Sequence, residues 1–459
     1  MMTWNFKGTC RNRLQAKVPM VAMLVIGFAW CGVSEGLAVS EEGPIARSTT
    51  NVPELRLSLR DAMQAAVDQN PTVQIFKEKI AQAEDVEDTR FGAFLPNISG
   101  RVSGARRRFF FGSFGGNPSV SKPTDFYEAR ASLTQNIFSL SLIQRWRAAQ
   151  AGVDVANLDS EVSERDTMAT TGLVYLEGLR AQQAVQARQA DVKLNTELLR
   201  LATERKSAGM ATSLDVTRAQ VQLERERQRL LVARNDDNRA KLNLIRAIGL
   251  PFDVQLVLTD ELELIEVPKQ SADDAMLLAR ENRIELQAQK RRERLAALTL
   301  SSVVSERIPN LQASGDVGLI GNQIPDALTT DNVQVLLTVP IFDGGQREGR
   351  ISENRSLVRQ ESLRTKDLEY QVTLEVRDAL LTIESAQQQV KVAQLGLKLS
   401  LKELDLARER FAVGVATNIE VTNAQTSVAQ ARDSLIEGLF TFNAARVNLA
   451  RAQGRLHEL

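Results

Sequence analysis

Asp215 and Glu420 each stand three residues after a threonine, Thr212 and Thr417, and six after a glycine, Gly209 and Gly414. A carboxylate at that distance from a threonine can close a capping box, where each side chain bonds the other's backbone amide. Arg101, Glu128, Arg130 and Asp316 are charges inside segments that otherwise alternate polar and apolar. Such charges suit ion pairing or a wet surface rather than bond making. Catalytic chemistry has little to work with. His457 is the single histidine among 459 residues, and it lies next to the C-terminus. A Ser-His-Asp triad, a Cys-His dyad or a His-ligated metal would have to use it. The expectation is a protein without enzymatic activity or cofactor.

Composition narrows the choice further. Lys plus Arg and Asp plus Glu both number 57, so no net positive charge marks a nucleic-acid partner. Aromatics are only 5 %, thin for a mixed globular core, while Ala, Leu, Gln and Arg crowd the middle as in long helices.

The N-terminus reads as an export signal. Lys7, Arg11, Arg13 and Lys17 precede an apolar run from Val18 to Val33, and Gly36-Leu37-Ala38 offers a cleavage site. The run is shorter than the roughly 20 residues that span a bilayer. Cys31 follows Trp30, which does not suit a lipid-attachment box. Cleavage after Ala38 removes Cys10 and Cys31 and leaves a cysteine-free chain, suited to an oxidising compartment without disulfides.

The elements that must place the charged residues occur twice. Ser58 with Asp61 recurs as Ser271 with Asp274, Leu95-Pro96-Asn97 as Ile308-Pro309-Asn310, and Gly209-Met210-Ala211-Thr212 as Gly414-Val415-Ala416-Thr417. The spacing of about 210 residues marks a duplicated domain, not a solenoid. The first copy has a longer segment around Arg106 to Asp125. The expected divisions are a signal peptide over 1–38, an extended tail over 39–55, repeat one over 56–250, a linker over 251–269, repeat two over 270–455 and a short tail over 456–459.

Each repeat reads helix, strand, loop, strand, long helix, turn, long helix. Ile98, Gly100, Val102 and Gly104 alternate with Ser99, Arg101 and Ser103, and Tyr127, Ala129, Ala131 and Leu133 with Glu128, Arg130, Ser132 and Thr134. In the second repeat Leu311, Ala313, Gly315, Val317 and Leu319 alternate with Gln312, Ser314, Asp316 and Gly318. Val333, Val335, Leu337, Val339 and Ile341 form the last such row. Period-two runs of about ten residues with one apolar face match transmembrane barrel strands. Phe109, Phe110, Phe111, Phe114, Phe126 and Tyr127 cluster at the loop end of the first hairpin, as an interfacial girdle would. Ser139 and Asp343 read as N-caps of helices about 65 residues long, roughly 100 Å. The helices turn at Gly209 and Gly414 and restart in capping boxes at Thr212 and Thr417. The returning helices carry an apolar seam: Val216, Ala219, Leu223 and Leu230 in one, and Val421, Ala424, Val428, Ala431 and Leu435 in the other.

Four strands cannot close a barrel, and an open edge is not tolerated in lipid. Several chains must therefore share one barrel if the strands enter a membrane. Two chains would give eight strands and a filled interior, and three would give twelve and room for a lumen. The polar row, with Arg101, Glu128, Arg130 and Asp316, favours a wet lumen.

The chain resembles the TolC-type outer-membrane efflux proteins. The similarity rests on Ala66-Val67-Asp68-Gln69-Asn70-Pro71, Phe94-Leu95-Pro96-Asn97-Ile98, Leu133-Thr134-Gln135-Asn136-Ile137-Phe138, Gly209 to Val216, Val339-Pro340-Ile341-Phe342-Asp343-Gly344-Gly345 and Gly414 to Val421. Their order and duplication over residues 56 to 455 make it specific. The resemblance implies a mainly α protein with a membrane β-barrel. It would be a homotrimer sharing a twelve-stranded barrel and a periplasmic α-helical barrel, in the outer membrane with a large periplasmic portion. It implies an exit duct of a tripartite efflux or type I secretion system, joined by a periplasmic adaptor (membrane fusion) protein to an inner-membrane RND, ABC or major-facilitator pump. The two helical turns would then be the periplasmic tip. Adaptor-docking candidates are Arg205, Ser207, Gly209, Ala211, Thr212, Arg410, Val413, Gly414, Ala416 and Thr417. Gate candidates are Asp215, Glu420 and Phe411. Three copies would set six carboxylates around one pore, a ring that attracts cations. Phe411 and Ala416 stand where tightly closed relatives carry an aromatic hydroxyl and an arginine, so a weaker lock is expected. The alternative is a structural tether that bridges envelope layers without a lumen, which leaves the polar strand row idle. A periplasmic adaptor, with one helical hairpin, does not account for the duplication.

Overall fold

The computed structural model describes residues 54–110, 119–268 and 270–458. The expected signal peptide lies outside the described residues, as do Phe111 and Phe114 of the aromatic cluster.

A short strand, β1 (Glu54–Leu57), opens the described chain. Ser58 then caps α1 (Leu59–Gln69) through a capping box. Asp61 N donates to Ser58 Oγ at 3.2 Å, and Ser58 N donates to Asp61 Oδ2 at 3.2 Å. Pro71 cannot continue that helix and instead starts α2 (Pro71–Gly92), with Asn70 Oδ1 accepting from Thr72 N at 2.7 Å. Each repeat was expected to begin with one helix, but it begins with two.

Four strands form one antiparallel sheet. They are β2 (Asn97–Arg107), β3 (Thr124–Phe138), β5 (Asn310–Gly321) and β6 (Leu328–Thr338), in the order β2-β3-β5-β6. The strand β4 (Gln255–Leu258) belongs elsewhere. It pairs in parallel with β1, Glu54 opposite Gln255 and Leu57 opposite Leu258. This revises the expected tail and linker. Glu54 and Leu55 are strand residues, and the segment after Pro251 sends Leu256, Leu258 and Leu262 into a core with Tyr175, Leu179, Leu244 and Ile248. Tyr175 Oη donates to the Leu57 carbonyl at 2.9 Å. Burial pushes its phenol up to about 12.

Two long helical hairpins make up most of the protein. The first is α3 (Leu140–Ser207) with α4 (Ser213–Ile248), and the second is α7 (Gln346–Ala412) with α8 (Asn418–Ala452). Between them run α5 (Ala272–Asn282) and α6 (Ile284–Val304), broken at Arg283, whose extended backbone directs its guanidinium to Glu285 and Glu375. Ser139 caps α3 as expected, accepting from Leu142 N at 3.4 Å. Asp343 does not occupy the cap of α7. Gly345, at φ +83°, does, and Asp343 reaches past it to accept from Arg347 N at 3.0 Å. Val339 and Ile341 lie beyond the end of β6. Leu223, Val421, Ala424 and Val428 of the apolar seams are buried; Val216, Ala219, Leu230, Ala431 and Leu435 are partly so.

The duplication is visible in a matching pair of glycines. A Cβ on Gly249 would lie 2.8 Å from the Gln69 carbonyl oxygen, and one on Gly454 would lie 2.7 Å from that of Asn282. In each repeat the end of the returning helix thus abuts the break between the two leading helices.

Candidate functional site

At the helical tip the chain reverses twice by the same geometry. Gly209 at φ +73° and Gly414 at φ +83° take the left-handed conformation that ends α3 and α7. Met210 N closes onto the Arg205 carbonyl at 2.8 Å, and Val415 N onto that of Arg410 at 3.0 Å. Met210, Val413 and Val415 are left 65 %, 75 % and 67 % exposed, and Leu214 and Ile419 are exposed beside them. Of these, only Val413 was singled out from the sequence. The signal for the others was apolar residues at turn positions that a soluble hairpin would fill with polar ones.

The two turns differ in how their acids are used. Thr212 and Asp215 form the expected capping box. Thr212 N and Oγ1 donate to Asp215 Oδ2 at 2.9 and 2.7 Å, and Asp215 N donates to Thr212 Oγ1 at 3.3 Å. Those hydrogen bonds, with Arg218 and Arg205 nearby, hold the Asp215 carboxyl below the usual carboxylate range. The second box does not form. Thr417 makes no side-chain cap, and Glu420 instead meets Arg410 Nε at 3.2 Å. Glutamate is one methylene longer than aspartate and can reach a cation on the opposite helix.

Arg205 joins one hairpin to the other. It donates from Nη1 to the Phe411 carbonyl, and its guanidinium stands 4.2 Å from the centre of the Phe411 ring. Phe411 is buried with Leu404, Ala407, Val421, Ala424 and Val428. The gate and docking candidates therefore separate into two groups. Phe411 and Arg205 bind the hairpins together, whereas Ser207, Gly209, Arg410, Val413 and Gly414 are exposed, as is Thr212, while Ala211 and Ala416 are partly so.

Higher up, a charged cluster unremarked in the sequence ties α3 to α8. Arg188 bonds Asp191 at 3.1 Å and also Asp433, and Arg432 Nη1 donates to Asp191 Oδ1 at 2.6 Å. Glu226 is buried beside them. It accepts from Arg229 at 2.8 Å and Gln222 at 3.1 Å through Oε1, while its Oε2 has no partner. Burial pushes its carboxyl up.

In the sheet, Arg130 is the centre of the polar face. Its Nε donates to Glu128 at 2.9 Å, Nη1 to Asp316 and Nη2 to Thr330 at 3.0 Å, spanning β3, β5 and β6. Arg101 is not drawn in. It lies opposite Arg130 in register, and like charges do not pair. The opposite face is mostly apolar and bare, with Asp331 opposite Val317 its charged exception: Val102 is 85 % and Val333 83 % exposed, with Ile98, Val317, Val335 and Leu337 also exposed. Tyr127 continues that face, whereas Phe126 alternates to the polar side and packs edge-on against Phe109 at 5.6 Å. The aromatic cluster is thus split between two faces. Among the described residues no helix is long and apolar enough to cross a membrane.

Comparison with known proteins agrees with this architecture. The family model described as outer membrane efflux protein matches residues 62–250 and 276–455. The pyoverdine export outer membrane protein OpmQ of Pseudomonas aeruginosa is 24 % identical over 418 residues, 88 % of this chain and 85 % of that protein. The outer membrane protein TolC of Escherichia coli is 21 % identical over 346 residues, covering 72 % and 70 %. Among solved structures, the CmeC outer membrane channel of Campylobacter jejuni superimposes with a TM-score of 0.75 at 16 % identity, covering 87 % of this chain and 86 % of that one. VceC of Vibrio cholerae gives 0.73 at 15 %, covering 86 % and 96 %. The chain belongs to the outer membrane efflux protein family, whose members are channels and not enzymes.

Proposed function

We propose that three copies of this chain form a duct through the outer membrane, exported there by residues 1–38 and reaching through the periplasm on their helical hairpins. The observation that carries the reading is the sheet. It has four strands, two unpaired edges on β2 and β6, one bare and mostly apolar face and one face of linked charges. Lipid accepts the first face but not the edges. Joining β6 of one copy to β2 of the next removes every edge at twelve strands, with Glu128, Arg130 and Asp316 lining a wet lumen. A tether without a lumen leaves that polar face without a use.

The tip is the docking end. Met210, Val413 and Val415, framed by Ser207, Gly209, Thr212, Gly414 and Ala416, offer an apolar surface for the helices of a periplasmic adaptor, which couples the duct to an RND, ABC or major-facilitator pump. Asp215 and Glu420, three of each, surround the entrance and favour cations there. Relatives are named for pyoverdine, alkaline protease and toluene, so cargo follows the pump and not the duct.

The test combines two measurements. Purified protein in planar bilayers should conduct as a trimer. Ser207→Cys, the sole thiol of the processed chain, should capture an adaptor when fitted with a photo-crosslinker in living cells. Trimers that never conduct, together with capture of cell-wall material alone, would establish the tether instead.

A further inference from the structure

The two β-hairpins end at different heights. Pairing of β3 with β5 stops at Tyr127 opposite Gly321, but pairing with β2 continues to Thr124 opposite Arg107 and resumes at Val120 opposite Phe110. The first hairpin runs on as a two-stranded ribbon for roughly 20 Å, at about 3.4 Å per residue. The helices leave from the opposite ends of the strands. Under the reading of the sheet as an outer-membrane barrel, on which this inference rests, the ribbon faces the cell exterior.

The outward row of β2 reads Ile98, Gly100, Val102, Gly104 and then Arg106, with Tyr127 opposite Gly104. Arg108 follows two residues on, and Lys122 stands on the returning strand side of the ribbon. For a strand tilted by about 40°, Arg106 and Arg108 rise roughly 20 to 26 Å above Ile98. That is the upper limit of the apolar band of about 25 Å that such barrels present. The cations therefore sit at headgroup level, just above an interfacial tyrosine. Arg106 is paired with Asp125 at 3.5 Å. Arg108 and Lys122 are exposed and, among the described residues, have no ion pair. Three cations against one acid is a net positive site, repeated three times around the barrel.

We propose that Arg106, Arg108 and Lys122 bind the phosphate groups of a phosphorylated lipid in the outer leaflet. Guanidinium groups take phosphate oxygens two at a time, and a neighbouring apolar row receives the acyl chains. Basic clusters at a bilayer surface attract anionic headgroups.

The experiment is native mass spectrometry of the purified full-length trimer with a bisphosphorylated glucosamine-disaccharide lipid, against the same lipid with its phosphates removed. The phosphorylated lipid should bind wild type at least tenfold more tightly. A triple variant, R106Q/R108Q/K122Q, should fall to the level of the dephosphorylated lipid, while R106K/R108K should retain most of the preference. Equal binding of the two lipids to wild type would overturn the proposal without relying on any variant. Displacement of the lipid by excess inorganic phosphate alone would also overturn it, assigning the site to the free anion. Conductance of the same preparations separates the two readings. A conducting wild type that ignores phosphate sinks only the lipid site, whereas a trimer that never conducts sinks the duct.

Discussion

Arg205 and Phe411 are bound to each other in two ways across the two helical hairpins. The guanidinium donates to the Phe411 backbone carbonyl and lies 4.2 Å from the centre of its ring. Its Nε is buried without a partner, so the charge is held there by the ring and carbonyl. The contact is the part of the tip that joins α3 to the α7–α8 turn through one side chain. It occupies the place where the sequence, lacking a hydroxyl at Phe411 and an arginine at Ala416, suggested a weak lock.

Arg205→Ala should loosen the tip. It removes a charge-assisted hydrogen bond and a cation–π contact, together about 2 kcal/mol. In planar bilayers the variant should conduct several-fold better than wild type, and Arg205→Lys should lie between them, since an ammonium cannot both stack and hold the carbonyl. Asp215→Ala should have the smaller effect, because its carboxylate is bonded within its own turn. A larger rise from Asp215→Ala than from Arg205→Ala would move the lock to the acid.

The capping box at Thr212 gives a pH-dependent local effect. The Asp215 carboxyl is held below its ordinary value in the folded protein. Its contribution to stability is therefore present above the unfolded pKa, near 4, and is lost as pH falls through the lowered folded value. Asp215→Asn should speed hydrogen exchange of the first-turn amides of α4 by a few-fold at pH 7, below 1 kcal/mol after solvent screening. The difference between variant and wild type should shrink in acid. The matching change at Glu420 should leave the first turn of α8 unaltered, because no box forms there.

The long-range plan of the protein was legible because it is written in periods. Alternation in Ile98 to Gly104 and Leu311 to Leu319 fixed the strands and their faces, and Gly209 and Gly414 fixed the turns. What was not legible depends on partners distant in sequence. No proline or glycine marks the break at Arg283; its guanidinium is shared between Glu285 and Glu375, the latter 92 residues on. Leu256 and Leu258 looked like linker residues until β4 found β1. Thr417 and Glu420 carry the same capping signal as Thr212 and Asp215, but the longer Glu420 pairs with Arg410 on the opposite helix and that box stays open. The site was half readable for the same reason. Glu128, Arg130 and Asp316 were picked out as polar-row charges, but that Arg130 gathers the other two and excludes Arg101 follows from register.

Glu226 should be more stable as an amide. Its carboxyl is buried, one oxygen has no partner, and its pKa is raised by burial, with Asp191 and Asp433 adding to the shift. A raised acid favours folding fully below the unfolded pKa and loses that advantage as pH rises through the folded value. Glu226→Gln should therefore stabilise the hairpins at pH 8, by on the order of 1 kcal/mol, and differ little from wild type at pH 4. Thermal unfolding followed by circular dichroism at the two pH values checks it. A variant less stable at pH 8 would mean that the Arg229 pair outweighs the buried charge.

The last prediction concerns how one copy meets the next. Within a protomer α4 packs on α3, α3 on α8 and α8 on α7, while α5 and α6 also pack on α7, with Glu361, Thr365 and Glu375 among its contacts; tip-ward of these, α4 and α7 stand at opposite flanks. Both flanks carry exposed leucines: Leu231 and Leu242 on α4, Leu381 and Leu395 on α7. The Arg205–Phe411 contact sets the two turns at one level, so residues equally far from their turns share a height. Leu231 and Leu395 are each roughly 26 Å from the turn at 1.5 Å per residue, and Leu242 and Leu381 roughly 45 Å. These leucines stand as knobs for a seam between neighbouring copies. The double variant L231C/L395C in a chain without other cysteines should form disulfide-linked trimers under mild oxidation, and L242C/L381C likewise. The mismatched pair L231C/L381C, about 19 Å out of level by the same rise, should not. Trimers that resist both matched cross-links would place the subunit contact on another face of α4 and α7.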